Sequence, residues 1–484
     1  MGYVLQEIPS RREWLQRERD ARESFREKHP PERDPFRQRF HLMPPCGYLN
    51  DPNGLCFVRG LYHVYHQYSP FSPWGEGGKL WGHFETADFV SWRRRSPAGV
   101  PDTPWDRDGM YSGCALPERE GVRFYYTGNV KKPGDFDYIR RGREHNLIGS
   151  FSRDGTCLEG KRLLLRNGGY PADMTLHVRD PKVWREEGRY YMVLGARSRE
   201  DRGLVLLYFS EDGWRWKLSG RFYASFPLGY MWECPDFLRF GEKEFLLFCP
   251  QGLKPQGERF HNGDTCGYAE LLRDFRRGGG IGAFEELDKG FDFYAAQTFA
   301  GTGERKILLG WMGQPKPFEN PTVSYGWQHC LSLPRELFLR KGKIWQEPLR
   351  ELEALRGPKE SGNLAQGEGI PLPGICFEAF LYPGKGAFHI AFRQDAELLY
   401  NGEALTLRLG ESGFGREERS CRFSGISFLR IFSDVSSLEI FVEGEVFSSR
   451  LYEARGGDGA LLRMLSGSCR WEIYPLRPFR WEEE

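Results

Sequence analysis

The sequence has no closely spaced pairs of cysteines. Its eleven cysteines are an odd number, lie scattered along the chain, and include no C-x-x-C pair. This spacing fits neither a zinc site nor a disulfide framework, and no metal or other cofactor is predicted. Free, buried thiols in a reducing compartment account for the cysteines most simply, because thiols stay reduced there.

Long apolar runs are missing as well. No stretch approaches the ~18 consecutive apolar residues that a membrane span requires. The segment from Met1 to Pro30 has no continuous apolar core and is dense in arginine and glutamate, unlike a signal peptide. We therefore expect a soluble, cytoplasmic protein that does not bind a membrane.

Neither sign of charge is in excess. The chain has 68 lysine and arginine residues against 67 aspartate and glutamate residues, and its formal net charge is +1. This balance does not indicate a nucleic-acid partner. The length of 484 residues favours two domains over one. Aromatic residues make up 15% of the chain, and we expect most of them to pack in cores.

A helix is predicted near the N-terminus, over residues 10–29. Ser10 and Glu13 have the spacing of a capping box, and the charged segment that follows stops before Pro30 and Pro31. Its charges are read as a solvated helix face. Residues 1–35 form the predicted N-terminal helical segment.

A short β motif then recurs five times. Each copy opens with a glycine and continues with aromatic and aliphatic residues, and the copies are separated by roughly 50–70 residues, the length of a four-stranded blade with its loops. The copies start at Gly60, Gly121, Gly188, Gly241 and Gly303. A β unit that cannot bury itself alone implies a closed ring of such units. We predict a five-bladed β-propeller over residues 36–340.

The repeat ends near residue 340. Residues 341–365 are charged and weakly patterned, and are interpreted as a linker. Residues 366–484 alternate again in short β runs such as Leu438–Glu443, which favours a β-sandwich. The predicted fold class is therefore all-β: a five-bladed propeller followed by a C-terminal sandwich, with a short N-terminal helix.

Three of the innermost blade strands are predicted to start with a carboxylate close to a proline: Asp51, Asp180 and Glu233. Equivalent positions in a ring face one axis, so these groups should meet at one end of the funnel. Clustered carboxylates are costly unless something uses or neutralises them. Glycoside hydrolysis uses such a set, with one carboxylate as nucleophile or base and one carboxylic acid as proton donor. The alternative is that they cap strand starts or bind a structural cation.

The neighbours of these acids suggest how they are tuned. Arg179 precedes Asp180 and is expected to keep it ionised. Trp232 precedes Glu233, and desolvation by an indole would raise the pKa of an acid that works near neutral pH.

The motifs around the three acids resemble those of glycoside hydrolase family 32, the family of invertases, sucrose-6-phosphate hydrolases, inulinases and levanases. The resemblance extends in order over nearly the whole chain and reaches the second domain at Asp434. Tyr48 and Leu49 depart from the residues most common in the family, which affects the subsite wall rather than the acids. The matching runs are YLNDPNG (Tyr48–Gly54), RDP (Arg179–Pro181), ECP (Glu233–Pro235), DFYAAQTF (Asp292–Phe299) and GWMG (Gly310–Gly313).

The resemblance implies a retaining β-fructofuranosidase that hydrolyses the fructosyl bond of sucrose or sucrose 6-phosphate through a covalent fructosyl-enzyme intermediate. Asp51 would be the nucleophile, Glu233 the general acid and then base, and Asp180 the transition-state stabiliser. The two reacting carboxyls should lie about 5–5.5 Å apart, as in retaining enzymes. The fructosyl subsite would be lined by Asn50, Gln67, Trp74, Tyr111, Ser112, Arg179 and Trp311.

Several alternatives stay open at this point. A related five-bladed hydrolase would act on arabinan or xylan, a fructosyltransferase would pass the sugar to another acceptor, and a non-catalytic propeller would only bind sugar. The sandwich is interpreted as a structural domain that packs on the propeller, with a homodimer as the candidate assembly; a carbohydrate-binding module is the other reading.

The substrate is likewise open among sucrose, sucrose 6-phosphate and short fructo-oligosaccharides. Discrimination of a phosphate requires arginine or lysine at the rim of the funnel. The candidates in the sequence are Arg93, Lys131, Lys132, Arg140 and Arg141.

Overall fold

The N-terminal helix forms where its capping box predicts. The computed structural model describes residues 7–316, 320–393, 395–453 and 460–482. Helix α1 spans Arg11–Lys28; the side chain of Ser10 accepts from the backbone N–H of Glu13, and the Glu13 side chain accepts from that of Ser10. The buried Trp14 of this helix donates its indole N–H to the carbonyl of Pro101, which anchors the helix on the β domain. Six short 3₁₀ helices cover Pro31–Arg33, Asn167–Gly169, Phe275–Arg277, Pro321–Tyr325, Arg350–Leu355 and Glu411–Gly413.

Strands β1 to β22 form five antiparallel units arranged in a ring. The first strand of each unit contacts the first strand of the next, and that of the fifth returns to that of the first, so the ring closes. Units one to three are β1 Gly47–Val58, β2 Leu61–Ser69, β3 Leu80–Thr86, β4 Ser91–Gly99; β5 Met110–Glu118, β6 Gly121–Lys131, β7 Arg143–Ser152, β8 Glu159–Leu165; and β9 Met174–Glu186, β10 Arg189–Ser198, β11 Gly203–Ser210, β12 Lys217–Tyr223. Units four and five are β13 Met231–Phe240, β14 Lys243–Gln251, β15 Gly267–Leu271, β16 Gly279–Glu286; and β17 Tyr294–Thr298, β18 Ile307–Met312, β19 Trp327–Gln328, β20 Cys330–Leu331, β21 Arg335–Arg340, β22 Lys343–Pro348.

A sandwich of two six-stranded sheets follows the ring. One sheet has the order β23-β34-β25-β30-β31-β32 and the other β24-β33-β26-β27-β28-β29, and the apolar residues between them form a core of their own. The predicted fold class, a propeller followed by a sandwich with an N-terminal helix, is confirmed. The strands are β23 Glu360–Ala365, β24 Gly369–Pro371, β25 Phe377–Tyr382, β26 Phe388–Phe392, β27 Ala396–Tyr400, β28 Ala404–Leu409, β29 Glu418–Arg422, β30 Leu429–Asp434, β31 Ser437–Val442, β32 Glu445–Arg450, β33 Ala460–Met464, β34 Ser468–Pro475 and β35 Arg480–Glu482.

The predicted linker, residues 341–365, contains two strands rather than a plain connection. Strand β22 pairs with β21 inside the fifth blade, and β23 pairs with β34 in the sandwich. The alternation of β22 is hidden because its inward side includes a polar residue, the buried Gln346, whose amide donates to the carbonyl of Leu287. Strand β23 is mostly exposed at a sheet edge, so it shows little pattern.

The last strand leaves the predicted sandwich, residues 366–484, and returns to the propeller. Strand β35 pairs in parallel with β4 at the outer edge of blade one. Strand β19, which follows β18 of the fifth unit along the chain, pairs in parallel with β1 of blade one. Such pairings join segments far apart in sequence, and local pattern does not reveal them.

Among the helices of the described residues, none is long and apolar enough to cross a membrane.

A buried ionic network joins the fifth blade to the sandwich. The guanidinium of Arg335 is fully buried and contacts the carboxylates of Glu439 at 2.6 Å and Asp288 at 3.2 Å. His41 lies on the other side of Glu439 and bonds Asp434 at 2.8 Å. Burial opposes the charged form of His41, but its two carboxylate partners outweigh this effect and raise its pKa.

This network predicts a large effect of Arg335→Leu on stability. The change leaves the buried Asp288 without its counter-charge and leaves Glu439 with His41 alone, which costs about 3–5 kcal/mol of unfolding free energy. Arg340→Leu, at the exposed end of the same strand where Arg340 pairs with Glu347, should cost less than about 1 kcal/mol. Chemical denaturation of the two variants tests this, and equal costs would contradict a stabilising role of the network.

Candidate active site

The three predicted carboxylates lie on the first strands of blades one, three and four, each at an irregularity in the strand. The pairing of β1 with β2, of β9 with β10 and of β13 with β14 shifts register next to Asp51, Asp180 and Glu233. A bulge frees a residue from the ladder and re-aims its side chain. The carboxylates therefore lie within their strands and not at the first residues, and the nearby prolines occupy bulges, where a missing N–H breaks no ladder bond.

Asp51 is surrounded by side-chain donors. Its carboxylate accepts from Ser112 Oγ at 2.5 Å, from Asn50 Nδ2 at 3.0 Å and from Gln67 Nε2 at 3.3 Å. Burial raises the pKa of Asp51; the Ser112 hydrogen bond opposes this, and the negative charge of Glu233 adds to it. The donors hold the carboxylate in one orientation.

Asp180 adopts a left-handed backbone conformation with φ of 63°, which marks local strain at a non-glycine residue. Its N–H donates to Thr127 Oγ1 at 2.9 Å, so the second blade helps hold this conformation. Burial raises the pKa of Asp180 to about 7, with Arg179 lowering it and the charges of Glu233 and Asp51 raising it further. The expectation that Arg179 keeps Asp180 ionised is thus outweighed by burial.

Arg179 is engaged mainly with Glu233. Its Nε donates to Glu233 Oε1 at 3.0 Å and its Nη2 contacts the same oxygen, whereas Asp180 Oδ2 is 3.8 Å from Nε. The other Glu233 oxygen accepts from Gln251 Nε2 and from the Tyr294 hydroxyl, each at 2.8 Å. Glu233 is therefore fixed by three donors from blades three, four and five.

Trp232 does not face the acid beside it. Its indole packs on Phe248 with ring centroids 4.2 Å apart, and its N–H donates to the carbonyl of Leu228 at 2.6 Å. Successive residues of a strand point to opposite faces, and Trp232 faces the core between blades. The expected desolvation of Glu233 by this indole is therefore not found.

Cys234 links two of the acids. Its Sγ lies 3.7 Å from both Asp51 Oδ2 and Asp180 Oδ2, and its backbone N–H donates to Asp180 at 3.1 Å. Burial, followed by the charge of Asp180, raises the pKa of this thiol well above its usual value. The structure thus gives Cys234 contacts in the acid cluster that its position in the sequence does not indicate.

The other predicted residues differ in their burial and in the rings that they contact. Trp311 is buried, with its ring edge-on to Tyr48 and Tyr294. Tyr111 lies against His145, with ring centroids 5.7 Å apart. Trp74 stands apart in the loop between β2 and β3, with 46% of its surface exposed.

Three further residues at the site were missed. Gln251 and Tyr294 bond Glu233, and only the block DFYAAQTF, which contains Tyr294, offered a signal. Lys79 donates to Asn50 Oδ1 at 2.9 Å and lies 4.8 Å from the centre of the Tyr48 ring. Burial lowers the pKa of Lys79 to about 8, and Asp51 opposes the shift. A single lysine between a Gly-rich loop and a strand carries no pattern from which this role follows.

One group in the described ranges has metal-ligand geometry, and it lies in blade one. Ligand atoms of His63, His83 and Glu85 are all within 4.8 Å of one another. Nδ1 of His63 and Nε2 of His83 already hydrogen-bond each other at 2.9 Å. Glu85 is paired with Arg93 and Arg95. These contacts account for the group without an ion.

The pH dependence of stability should reflect Asp180. Its pKa of about 7 in the folded protein exceeds the ~3.9 of an unfolded aspartate, so between these values the native state binds more protons than the unfolded state. Its contribution to stability therefore falls as pH rises from 4 to 7. The difference in Tm between Asp180→Asn and the unaltered protein should grow over this range, in favour of the variant.

A matched aspartate, whose pKa is lowered instead of raised, should give a change in stability of the opposite sign. Its hydrogen bond with Arg221 lowers the pKa of the exposed Asp173, so Asp173→Asn should destabilise slightly or not at all at neutral pH. Thermal unfolding of both variants at several pH values is the measurement. A Tm difference for Asp180→Asn that shrinks as pH rises would contradict the assignment.

The ring brings three carboxylates together, the arrangement that a glycoside hydrolase uses. Comparison with known proteins gives the family. The model of the glycosyl hydrolases family 32 N-terminal domain matches residues 41–348. A sucrose-6-phosphate hydrolase of Bacillus subtilis (strain 168) is 36% identical over 460 residues, which cover 90% of this chain and 94% of that protein. The chain belongs to glycosyl hydrolases family 32.

Solved structures agree with this placement. A family 32 beta-fructofuranosidase of Bombyx mori superposes with a TM-score of 0.83 at 28% identity, covering 98% of this chain and 100% of that one. A sucrose-6-phosphate hydrolase from Lactobacillus gasseri superposes with a TM-score of 0.85 at 26% identity, covering 98% and 99%. The likeness therefore includes both domains.

Proposed function

We propose that this protein is a retaining β-fructofuranosidase that hydrolyses the fructosyl bond of sucrose or sucrose 6-phosphate. The observation that carries the proposal is that two residues connect all three acids. Cys234 contacts Asp51 and Asp180, and Arg179 contacts Asp180 and Glu233. The similar proteins named above support the substrate, because they are sucrose-6-phosphate hydrolases and a beta-fructofuranosidase.

In the first step, Asp51 attacks the anomeric carbon of the fructosyl unit. Glu233 gives its proton to the departing glycosidic oxygen as that bond breaks, which leaves a covalent fructosyl-enzyme. The donors around Asp51, above all Ser112, hold its carboxylate for this attack. Asp180 is the proposed partner of the sugar hydroxyls, where hydrogen bonds that strengthen in the transition state contribute most.

In the second step, Glu233 accepts a proton from water, and the resulting hydroxide attacks the same carbon and releases Asp51. Two displacements at one carbon return the original configuration. Asn50, Gln67, Tyr111, Trp311 and the exposed Trp74 are proposed to line the subsites around this carbon. A separation of about 5–5.5 Å between the Asp51 and Glu233 carboxyls stays a prediction of the mechanism.

The rival propeller activities are separated by one assay. Initial rates are measured on sucrose, sucrose 6-phosphate and arabino-oligosaccharides, and the anomer first released is followed by NMR. We expect turnover of a sucrose substrate with release of β-fructose, and none of the arabino-oligosaccharides. Inversion, or preference for arabinose polymers, would contradict the proposal, and kestose-type products at high sucrose would indicate fructosyl transfer.

We also propose a cytoplasmic location. All eleven cysteines are unpaired in the structure, and most are buried, as is typical of proteins kept in a reducing compartment.

A further inference from the structure

Two cations lie side by side at one end of blade two. Lys131 ends β6 and Arg143 begins β7, and the two are direct partners across the hairpin. Both lie over the ring of Tyr138, with Lys131 Nζ at 5.7 Å and the Arg143 guanidinium carbon at 5.8 Å from its centre. We call Lys131 and Arg143 the hairpin cations.

The Arg143 guanidinium has hydrogen-bond donors left over. Its Nη1 lies 3.3 Å from His177 Nε2, which is itself 3.1 Å from the carbonyl oxygen of Tyr138. One ring nitrogen cannot donate to that carbonyl and also accept from the guanidinium. The Arg143 Nε is buried with no hydrogen-bond partner. Within the described ranges, no carboxylate forms an ion pair with either hairpin cation.

Positive charge is in excess around this point. Burial and the charge of Arg179 lower the pKa of Arg143, and burial and the charge of Arg143 lower that of Lys131. The pKa of His177 falls to about 2 through burial and the same two arginines. Asp108 accepts from the backbone N–H of Lys131 at 2.7 Å and its charge opposes the lowering of the Lys131 pKa. The gathered cations still repel one another, and a bound anion would relieve this repulsion.

Three of the four other basic residues considered at the rim are already engaged. Arg93 pairs with Glu85 and Glu482 at the outer strand of blade one. Arg140 pairs with Asp201, and Lys132 lies 3.6 Å from Glu144. Lys131 was among the candidates taken from the sequence, whereas Arg143 was not.

The hairpin cations lie one side chain beyond the acids. Tyr111 connects the two places, because the next residue of β5, Ser112, donates to Asp51 at 2.5 Å. Its ring also packs on His145, whose strand β7 starts at Arg143. An anion bound here would belong to the part of the substrate outside the fructosyl subsite, which is the leaving sugar.

We propose that Lys131 and Arg143 bind the phosphate of a phosphorylated hexosyl leaving group, so that a phosphomonoester of sucrose is preferred over sucrose. This inference rests on the proposed function. Arginine offers a planar fork of donors that matches phosphate, and lysine adds a second charge. The phosphate carries close to two negative charges at neutral pH, which suits a pair of cations.

The test compares kcat/KM for sucrose 6-phosphate and for sucrose in the unaltered protein, Arg143→Gln and Lys131→Gln. We expect a ratio of about 100 or more in the unaltered protein, and a fall of about 10- to 100-fold in each variant, as for the loss of a charged hydrogen bond. Arg189→Gln is the control, because Arg189 begins β10 at the end away from the rim and pairs with Glu211. It should leave the ratio unchanged.

A second readout uses the leaving sugar alone. Glucose 6-phosphate should inhibit sucrose hydrolysis more strongly than glucose, and the Arg143→Gln variant should lose this difference. Equal losses on both substrates, or an unchanged ratio in both variants, would overturn the inference. Sucrose hydrolysis without preference for the phosphate would overturn it while leaving the proposed function intact, whereas no turnover of either substrate would remove the proposed function itself.

Discussion

Asp51→Asn will lower kcat on sucrose by about 10⁴-fold or more, the scale seen when a catalytic nucleophile is removed. An amide has nearly the shape of the carboxylate but does not form the covalent fructosyl-enzyme. Burial raises the pKa of Asp51, so its charge is a cost to the fold that the amide does not carry. The variant should therefore be at least as stable as the unaltered protein, and lost activity would not reflect unfolding.

The control for Asp51→Asn is a second aspartate of blade one. Asp88 caps the turn between β3 and β4, where it accepts from the backbone of Val90 and Ser91. Asp88→Asn should leave kcat within about threefold, and its Tm shows what loss of a cap alone costs. Steady-state rates and thermal unfolding of both variants are the measurements. An Asp51→Asn variant that keeps a tenth of the activity would show that another group is the nucleophile.

Glu233→Gln will lower kcat on sucrose by about 10²–10⁴-fold, as expected for loss of a general acid. The effect should depend on the leaving group. Fructosyl fluoride releases fluoride without protonation, so its first step needs no acid, and the variant should form the fructosyl-enzyme at nearly the normal rate. The second step still lacks its base, so the intermediate should accumulate and give a burst of fluoride.

The same fourth blade offers a control for Glu233→Gln. Glu270 on β15 pairs with Lys243 at its surface, and Glu270→Gln should change neither rate. Rapid-mixing measurement of fluoride release separates the two steps. A defect as large on fructosyl fluoride as on sucrose, without a burst, would contradict the role of Glu233 as acid and base.

The propeller and the acids could be predicted because both repeat. Each blade repeats one β motif. Because equivalent positions of a ring face one axis, the sequence predicted that Asp51, Asp180 and Glu233 lie together. The bulges that turn these side chains out of their ladders could not be predicted, since they depend on pairing between strands. The contacts of Cys234 were missed for the same reason, because a small residue beside an acid has no pattern of its own.

Buried polar residues account for the other features that could not be predicted from the sequence. Gln346 and Arg335 face inward on β22 and β21, and a local pattern of hydrophobicity assigns such residues to the surface. Gln251 reaches Glu233 only because β14 ends beside the start of β13. Each of these roles is set by a partner distant in sequence or on another strand, and the sequence alone names no such partner.

The return of β35 to blade one bears on how the chain is made. Strand β4 is complete long before β35 is translated, and at about 5–20 residues per second the delay between them is roughly 20–80 s. During that time, the outer edge of blade one exposes unpaired backbone groups that could pair with other nascent chains. Its protection arrives only when residues 480–482 have been made, so a chain that stops before them carries an open edge that favours aggregation.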